Sequence, residues 1–338
     1  MSTSKAIPAY EPATLAPWEF AGILLTYWCN ARCAFCYVNC GPHHRTWMER
    51  GDALALWGAL DRHAAEHGLK MRIHLAGGEP FGDWPRLLSI VRQARDAGLT
   101  PLEKVETNAG WAVSEGVTRS RLEQLAALGM ERLIVSCDVY HQQFVPFENV
   151  RRCVEIARRV LGAERIRVRW WDFYDHPIDT RRLNTAERRA AFQAALARHK
   201  DRLTGRAAGE LASLLPCQPP EDFRAEHCVK EVLRGRHVHI DPYGNVFPGV
   251  CNGIVLGNAL RESPERLWPR LEQTWDQHPI VSAVVAGGSY ELMRRAMALG
   301  YQPRPEGYAG KCHLCHDVRR FLFERGAYPE AVGPAECY

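Results

Sequence analysis

The chain has 338 residues, 46% of them apolar and 24% charged, with a formal charge of +4. That balance describes a globular protein with room for one large domain and a smaller one, and it excludes extensive disorder. The excess charge is small and no Lys/Arg stripe with interleaved aromatics stands out, so nucleic acid is excluded as the expected partner.

Residues 1–19 form a polar, proline-rich N-terminal lead-in without the apolar core of a secretion signal. The apolar stretch AGILL before Thr26 is far too short to span a bilayer. The chain therefore reads as cytoplasmic, with no membrane partner. From about residue 20 to 175 one unit recurs: a short apolar run, a loop, a helix of 3.6-residue period and a glycine. The runs fall at 22–28, 71–76, 102–107, 132–137 and 165–171. Leu54, Trp57, Leu60 and Ala64 stripe the first helix, and Val150, Val154, Ala157 and Leu161 the fourth. Gly68, Gly98, Gly129 and Gly162 stand where helix C-caps belong.

Alternating strands and helices predict an α/β protein with a parallel sheet and right-handed crossovers. Five strands, with a sixth left unplaced, predict a partial (β/α)6 TIM-like barrel over 20–215 and functional groups at the C-terminal strand ends. Residues 184–200 predict an exposed helix with a solvated basic face. A proline-rich linker near 215–222 marks a change of pattern. Residues 216–338 then read as a small C-terminal domain: a hairpin through His237–Asp241, PYGN and 246–250, helices near 264–276 and 290–299, and a closing CxxC.

Twelve cysteines in a chain without an evident signal peptide argue for metal binding or catalysis rather than disulfides. Cys29-Asn-Ala-Arg-Cys33-Ala-Phe-Cys36 follows the first strand directly. Three thiolates on one loop suit three irons of a cubane and leave the fourth iron open to another ligand. Zinc sites more often pair CxxC units. The segment Ala76-Gly77-Gly78-Glu79-Pro80 ends the second strand; glycines allow close backbone approach and Glu79 offers an acceptor. Asn108 ends the third strand, and Ser136 and Asp138 the fourth.

The Cx3Cx2C spacing after a first strand, with GGEP after the second, resembles the radical S-adenosylmethionine (SAM) superfamily. The resemblance implies a 4Fe-4S cluster on Cys29, Cys33 and Cys36, with SAM chelated to its open iron. Reductive cleavage of SAM would give a 5′-deoxyadenosyl radical that takes hydrogen from a substrate. It also implies a SAM site formed by Phe35, Gly77, Gly78, Glu79, Asn108 and Ser136, and a flavodoxin- or ferredoxin-type electron donor.

Cys228 and Cys251 bracket the hairpin, and Cys312-His-Leu-Cys315 follows. Four thiolates close a tetrahedral zinc site or fill all four irons of a cubane. This layout, with Leu256-Gly257-Asn258 and Trp268, resembles the Twitch domain, the shortened relative of the SPASM domain, which implies a second, auxiliary 4Fe-4S cluster. On spacing alone zinc stays open, with His313 or His316 as substitute ligands and Cys217 as an alternative to Cys228.

The resemblance implies dehydrogenation, in which the auxiliary cluster accepts an electron, or epimerisation, in which a thiol returns hydrogen. Carbon- or sulfur-bond formation at the auxiliary cluster is the runner-up, and a non-catalytic iron–sulfur or zinc sensor the contrasting class. Thiol candidates are Cys40, Cys137, Cys217 and Cys337, although strand alternation turns Cys137 toward the helices. Tyr140 and His141, just past the fourth strand, are the rim residues expected to act on substrate, while His74, Asp172, Tyr174 and Asp175 are candidate bases. The short lead-in leaves no room for a peptide-recognition domain, which favours a small-molecule over a peptide substrate.

Overall fold

The computed structural model describes residues 14–200 and 202–338; the first thirteen residues of the lead-in lie outside them. The apolar runs become strands and the periodic stretches helices, in alternation: β1 (Phe20–Leu24), α1 (Arg50–Glu66), β2 (Arg72–Ala76), α2 (Trp84–Asp96), β3 (Leu102–Thr107), α3 (Glu115–Ala127), β4 (Arg132–Ser136), α4 (Phe147–Leu161) and β5 (Ile166–Arg169). Local chemistry sets the helix ends. Asp83 and Ser114 accept backbone N–H groups at the starts of α2 and α3. Gly68, Gly98 and Gly129 take the left-handed conformation just beyond α1, α2 and α3 (φ +67°, +69° and +90°). The next N–H then turns back into each helix, as in Leu69 N to Ala64 O at 2.8 Å.

After β5 come α5 (Trp171–Asp175), α6 (Thr185–Arg198), α7 (Arg206–Glu210) and α8 (Val229–Val232). The hairpin is β6 (His237–Ile240) and β7 (Asn245–Pro248), followed by β8 (Gly257–Asn258) and the helices α9 (Pro264–Thr274), α10 (Val281–Met297) and α11 (Lys311–Glu324).

The strands form one sheet in the order β5-β4-β3-β2-β1-β6-β7-β8, with parallel pairing from β5 through β6 and antiparallel pairing beyond. The sequence left the sixth strand unplaced. The sixth parallel strand is β6, from the hairpin, and it pairs with the open edge of β1 in the register Gly22–His239. The sheet therefore crosses the boundary drawn at 215/216. An unpaired β1 edge would leave buried backbone donors and acceptors unsatisfied, and β6 fills them.

One large core lies between the sheet and α1–α4, centred on Ile23, Leu56, Trp57, Leu75, Ile90, Leu125, Val135 and Val154. A second apolar cluster surrounds the 29–40 loop and includes Phe35, Val38, Tyr140, Phe192, Leu196 and Leu211. The helix expected to be a solvated basic element, α6, is thus two-sided: a capping box at Asn184 and Glu187 starts it, and Phe192, Ala195 and Leu196 cover the cysteine loop. Among the described residues, no helix is long and apolar enough to cross a membrane.

Candidate functional site

Strand β1 ends at Leu24, and the chain passes over the C-terminal end of the sheet, carrying Cys29, Cys33 and Cys36. All three thiols line one cavity, together with Gly77 and Gly78 after β2, Asn108 after β3, and Ser136 and His141 from β4 and its following turn. The glycine pair is explained by what it touches. A Cβ on Gly78 would stand 1.9 Å from Trp28 O, and one on Gly77 2.5 Å from Thr26 O. The two loops are instead joined by backbone hydrogen bonds, Gly78 N to Thr26 O (2.8 Å) and Glu79 N to Trp28 O (3.0 Å). The close approach is therefore to the incoming cysteine loop itself.

Asn108 Nδ2 donates to Cys29 Sγ at 3.5 Å and to Asn30 Oδ1 at 2.8 Å. The Cys36 thiol receives the Cys40 thiol and the Cys40 backbone N–H (3.3 Å), with the Arg206 charge nearby, and is held below the usual thiol range; burial pushes Cys40 upward. Burial raises Cys29 to about 12, with Glu79 adding to the effect. Ligation of a metal would displace these protons.

Phe35 is 8% exposed and packs against Tyr140 (5.4 Å between ring centroids) and His141 (5.2 Å), with the Arg169 guanidinium 5.2 Å from its ring centroid. Asp138, fully buried, accepts the backbone N–H groups of Tyr140 and His141 and pairs with His141 Nδ1 at 2.7 Å, which aims the imidazole. Ser136 and His141 line the cavity, whereas Tyr140 supports Phe35 from behind.

Several expected residues lie elsewhere. Glu79 does not line this cavity; its carboxylate accepts from Phe81 N (3.1 Å), Thr107 Oγ1 (2.8 and 3.0 Å) and Asn108 N (2.7 Å). Burial raises it to about 7. Cys137 is buried on the helix side of the sheet, 3.6 Å from Phe173 O, because consecutive strand residues face opposite ways. Cys337 is buried among Phe247, Val255 and Tyr338, and Cys217 is exposed.

Three residues have no signal in the sequence motifs. Arg206, only 6% exposed, donates to Cys33 O (3.0 Å) and Cys40 O (2.6 Å), and its own N–H to Cys36 O (2.9 Å). Gly205 precedes it at φ +58°, where a Cβ would meet Tyr37 O at 2.5 Å. Thr107 donates to Glu79 and accepts from Ala109 N and Trp111 Nε1.

Cys228, Cys251, Cys312 and Cys315 line a second cavity with Arg202 and Arg319. Cys228 N donates to Val284 O (2.9 Å) on α10, and the Arg202 guanidinium lies 3.7 Å from Cys251 Sγ. Burial, then the neighbouring thiols, raises Cys312 to about 12. The two cysteine sets are linked through Gly205, whose N–H donates to His316 Nδ1 (3.3 Å) on α11. A third cavity, of about 330 Å³, shares Phe35, Tyr37, Glu106 and Arg169 with the first and Arg202 and Val250 with the second, so it lies between them. In it, burial tends to raise Glu106, but Lys104 (2.6 Å), His239 and Arg169 outweigh this and hold its carboxyl below the ordinary range.

No protein-family model matches the chain, and no curated protein matches it. Among solved structures it is similar to BtrN in complex with AdoMet and 2-DOIA, at 16% identity and a TM-score of 0.44, over 80% of this chain and 88% of that one. It is also similar to hexahistidine-tagged anSMEcpe with bound AdoMet, at 12% identity and a TM-score of 0.46, over 91% and 94% of the two chains. Native anSMEcpe with bound AdoMet and Cp18Cys peptide matches at 11% identity and a TM-score of 0.41, over 90% and 97%. At these values the likeness carries no argument about function, which has to rest on this chain's own residues.

Proposed function

We propose that the chain is a radical SAM enzyme with an auxiliary iron–sulfur cluster. The observation that carries this reading is the convergence of three loop thiols with Gly77, Gly78, Asn108, Ser136 and His141 on one cavity at the C-terminal strand ends. The donor set fits a cubane: Cys29, Cys33 and Cys36 supply three thiolates. Among the described residues, no three thiols come within 4.8 Å of one another. A single zinc ion would gather thiolates to about 3.8 Å, whereas irons of a cubane each take their own. The same spacing favours iron over zinc at Cys228, Cys251, Cys312 and Cys315.

Cys29, Cys33 and Cys36 would hold the 4Fe-4S cluster, which together with SAM would supply carbon-radical chemistry for hydrogen abstraction. The chain's own residues prepare that site. Asn108 donates to Cys29 and stabilises its thiolate. Glu79 acts by position, fixing the Asn108 backbone and the glycine loop. Phe35, braced by Tyr140, gives an apolar face for a flat ring, and Asp138 holds His141 at the rim. Arg206 clamps the cysteine loop.

Substrate, a small molecule or a peptide, would enter the middle cavity. Dehydrogenation suits this layout better than epimerisation. Among the described residues, the only thiols lining the first cavity are Cys29, Cys33, Cys36 and Cys40, and Cys40 is engaged with Cys36. The middle cavity meanwhile shares Arg202 and Val250 with the cavity of the auxiliary thiols, so a cluster held by those thiols would be placed to accept an electron from substrate. A flavodoxin- or ferredoxin-type donor would supply the first electron.

The test is electron paramagnetic resonance of anaerobically reconstituted, dithionite-reduced protein. One cluster signal shifts when SAM is added and disappears in Cys29→Ala, and a second survives that substitution and disappears in Cys228→Ala. A spectrum indifferent to SAM overturns the reading. With substrate in deuterated solvent, a product lighter by two hydrogens supports dehydrogenation, and a product carrying deuterium at the same mass otherwise refutes it.

A further inference from the structure

We propose that His74, His237 and His239 form a binding site for a divalent transition-metal ion of the zinc class, distinct from both cysteine sets. One ring nitrogen of each lies within 4.8 Å of the others, and among the described residues no other group of three His, Cys, Asp or Glu side chains does so.

The backbone explains how three histidines from distant segments meet. His74 is on β2, and His237 and His239 are on β6, with β1 between the two strands. Gly22 of β1 is the register partner of both His74 and His239. A Cβ there would stand 2.4 Å from His239 Cδ2 and 2.5 Å from His74 Cε1 and Nε2. The missing side chain is therefore the gap through which the rings of the two outer strands approach each other. Phe20, two residues earlier on the same face, packs on His237 and His74 with centroids 4.3 and 4.7 Å away and limits their rotation.

The ring nitrogens are poorly accounted for by protein alone. His74, 1% exposed, keeps one backbone hydrogen bond, to Ala21, while His237 Nε2 is buried with no hydrogen-bond partner. Unpaired buried polar atoms are uncommon in native structures and call for a partner. His239 does have one: its Nδ1 lies 2.5 Å from Gly249 O, which can only accept. That bond places the proton on Nδ1 and leaves the Nε2 lone pair free, the outer contact usual for a ligating histidine.

Chemistry selects the ion. Three imidazoles with no thiolate suit zinc, iron, nickel or copper rather than calcium or magnesium. Three protein ligands also leave a coordination position for water or substrate, the pattern of a reactive rather than a structural site. Tetrahedral coordination at the usual zinc–nitrogen distance sets the nitrogens about 3.3 Å apart, so rings now within 4.8 Å need close by no more than about 1.5 Å. Lys104 is paired with Glu106 at 2.6 Å, and Glu106 lies 3.9 Å from His74 Nε2, which offsets the Lys104 charge beside the rings; Arg169, Lys200 and Arg202 line the same cavity. All three histidines line the middle cavity, so the open position would serve a substrate oxygen, nitrogen or sulfur donor there.

The site stands independently of the radical SAM reading and is tested with the cysteine sets filled. Reconstituted protein is titrated with zinc, then with cobalt(II) as the probe, and X-ray absorption is recorded at the zinc edge. The expected result is one equivalent of zinc with nitrogen ligation and a cobalt spectrum free of thiolate charge transfer. Affinity should drop about ten-fold or more in His237→Gln and in Gly22→Ala, while iron content and circular dichroism are retained. Zinc with sulfur ligation, no zinc uptake by wild type, or uptake unchanged in both variants would overturn the proposal. The wild-type zinc-edge spectrum decides the matter even if a variant fails to fold.

Discussion

Arg206→Met tests whether the cysteine loop is held from outside its own motif. The guanidinium makes two hydrogen bonds to buried carbonyls, Cys33 O at 3.0 Å and Cys40 O at 2.6 Å. Charged hydrogen bonds contribute about 1.5 kcal/mol each at the lower end of their range, so methionine should lose about 3 kcal/mol. That is a large fraction of a typical folding free energy of roughly 5–15 kcal/mol, and in a chain of this length it lowers Tm by roughly 5 °C. Because the two carbonyls flank Cys36, iron retention should fall together with Tm. Arg270→Met is the comparison: it removes an exposed pair with Glu262 at 2.8 Å, worth about 1 kcal/mol or less. Thermal melts and iron analysis of the three reconstituted proteins give the answer. If Arg206→Met melts within about 1 °C of Arg270→Met and keeps its iron, the clamp does not exist in the form described.

Gly78→Ala should misplace the cysteine loop, since the new methyl would stand 1.9 Å from a backbone oxygen that cannot move alone. A loss of about 3 kcal/mol or more in denaturant titration is expected, whereas Gly116→Ala, in the first turn of α3 with nothing within 4 Å of its Cβ, should gain about 0.5–1 kcal/mol. Asp241 is buried, and desolvation pushes it up to about 6 against the hydrogen bonds it accepts from Asn245 and Tyr27. A raised carboxyl favours the protonated folded state, so stability should decline from about pH 4 to pH 6; Asp241→Asn should flatten that decline by about 2–3 kcal/mol, and an unchanged slope refutes the assignment. Cys312→Ala should remove the auxiliary iron while sparing SAM cleavage and stopping turnover, as read by iron analysis and product mass.

Local pattern carried the strands β1–β5 and their helices, and the helix-ending Gly68, Gly98 and Gly129, because each depends on side chains a few residues apart. The place of β6 was not legible. The hairpin's own alternation says nothing about which edge its outer strand will meet, and only the assembled sheet has an open β1. The same limit hid Arg206, Gly205 and the histidine trio, whose partners are distant in sequence. That Cys29, Cys33 and Cys36 would share one cavity was legible because all three lie within eight residues. Glu79 shows the reverse: the motif was visible, but its contacts with Thr107 and Asn108 come from the neighbouring strand.

The most direct test of the account is the fate of SAM. Anaerobically reconstituted protein, reduced with dithionite and given SAM, should release 5′-deoxyadenosine and methionine in wild type and in Cys312→Ala, and none in Cys29→Ala, Cys33→Ala or Cys36→Ala. Protein that carries iron and sulfide on those cysteines yet leaves SAM intact would contradict it.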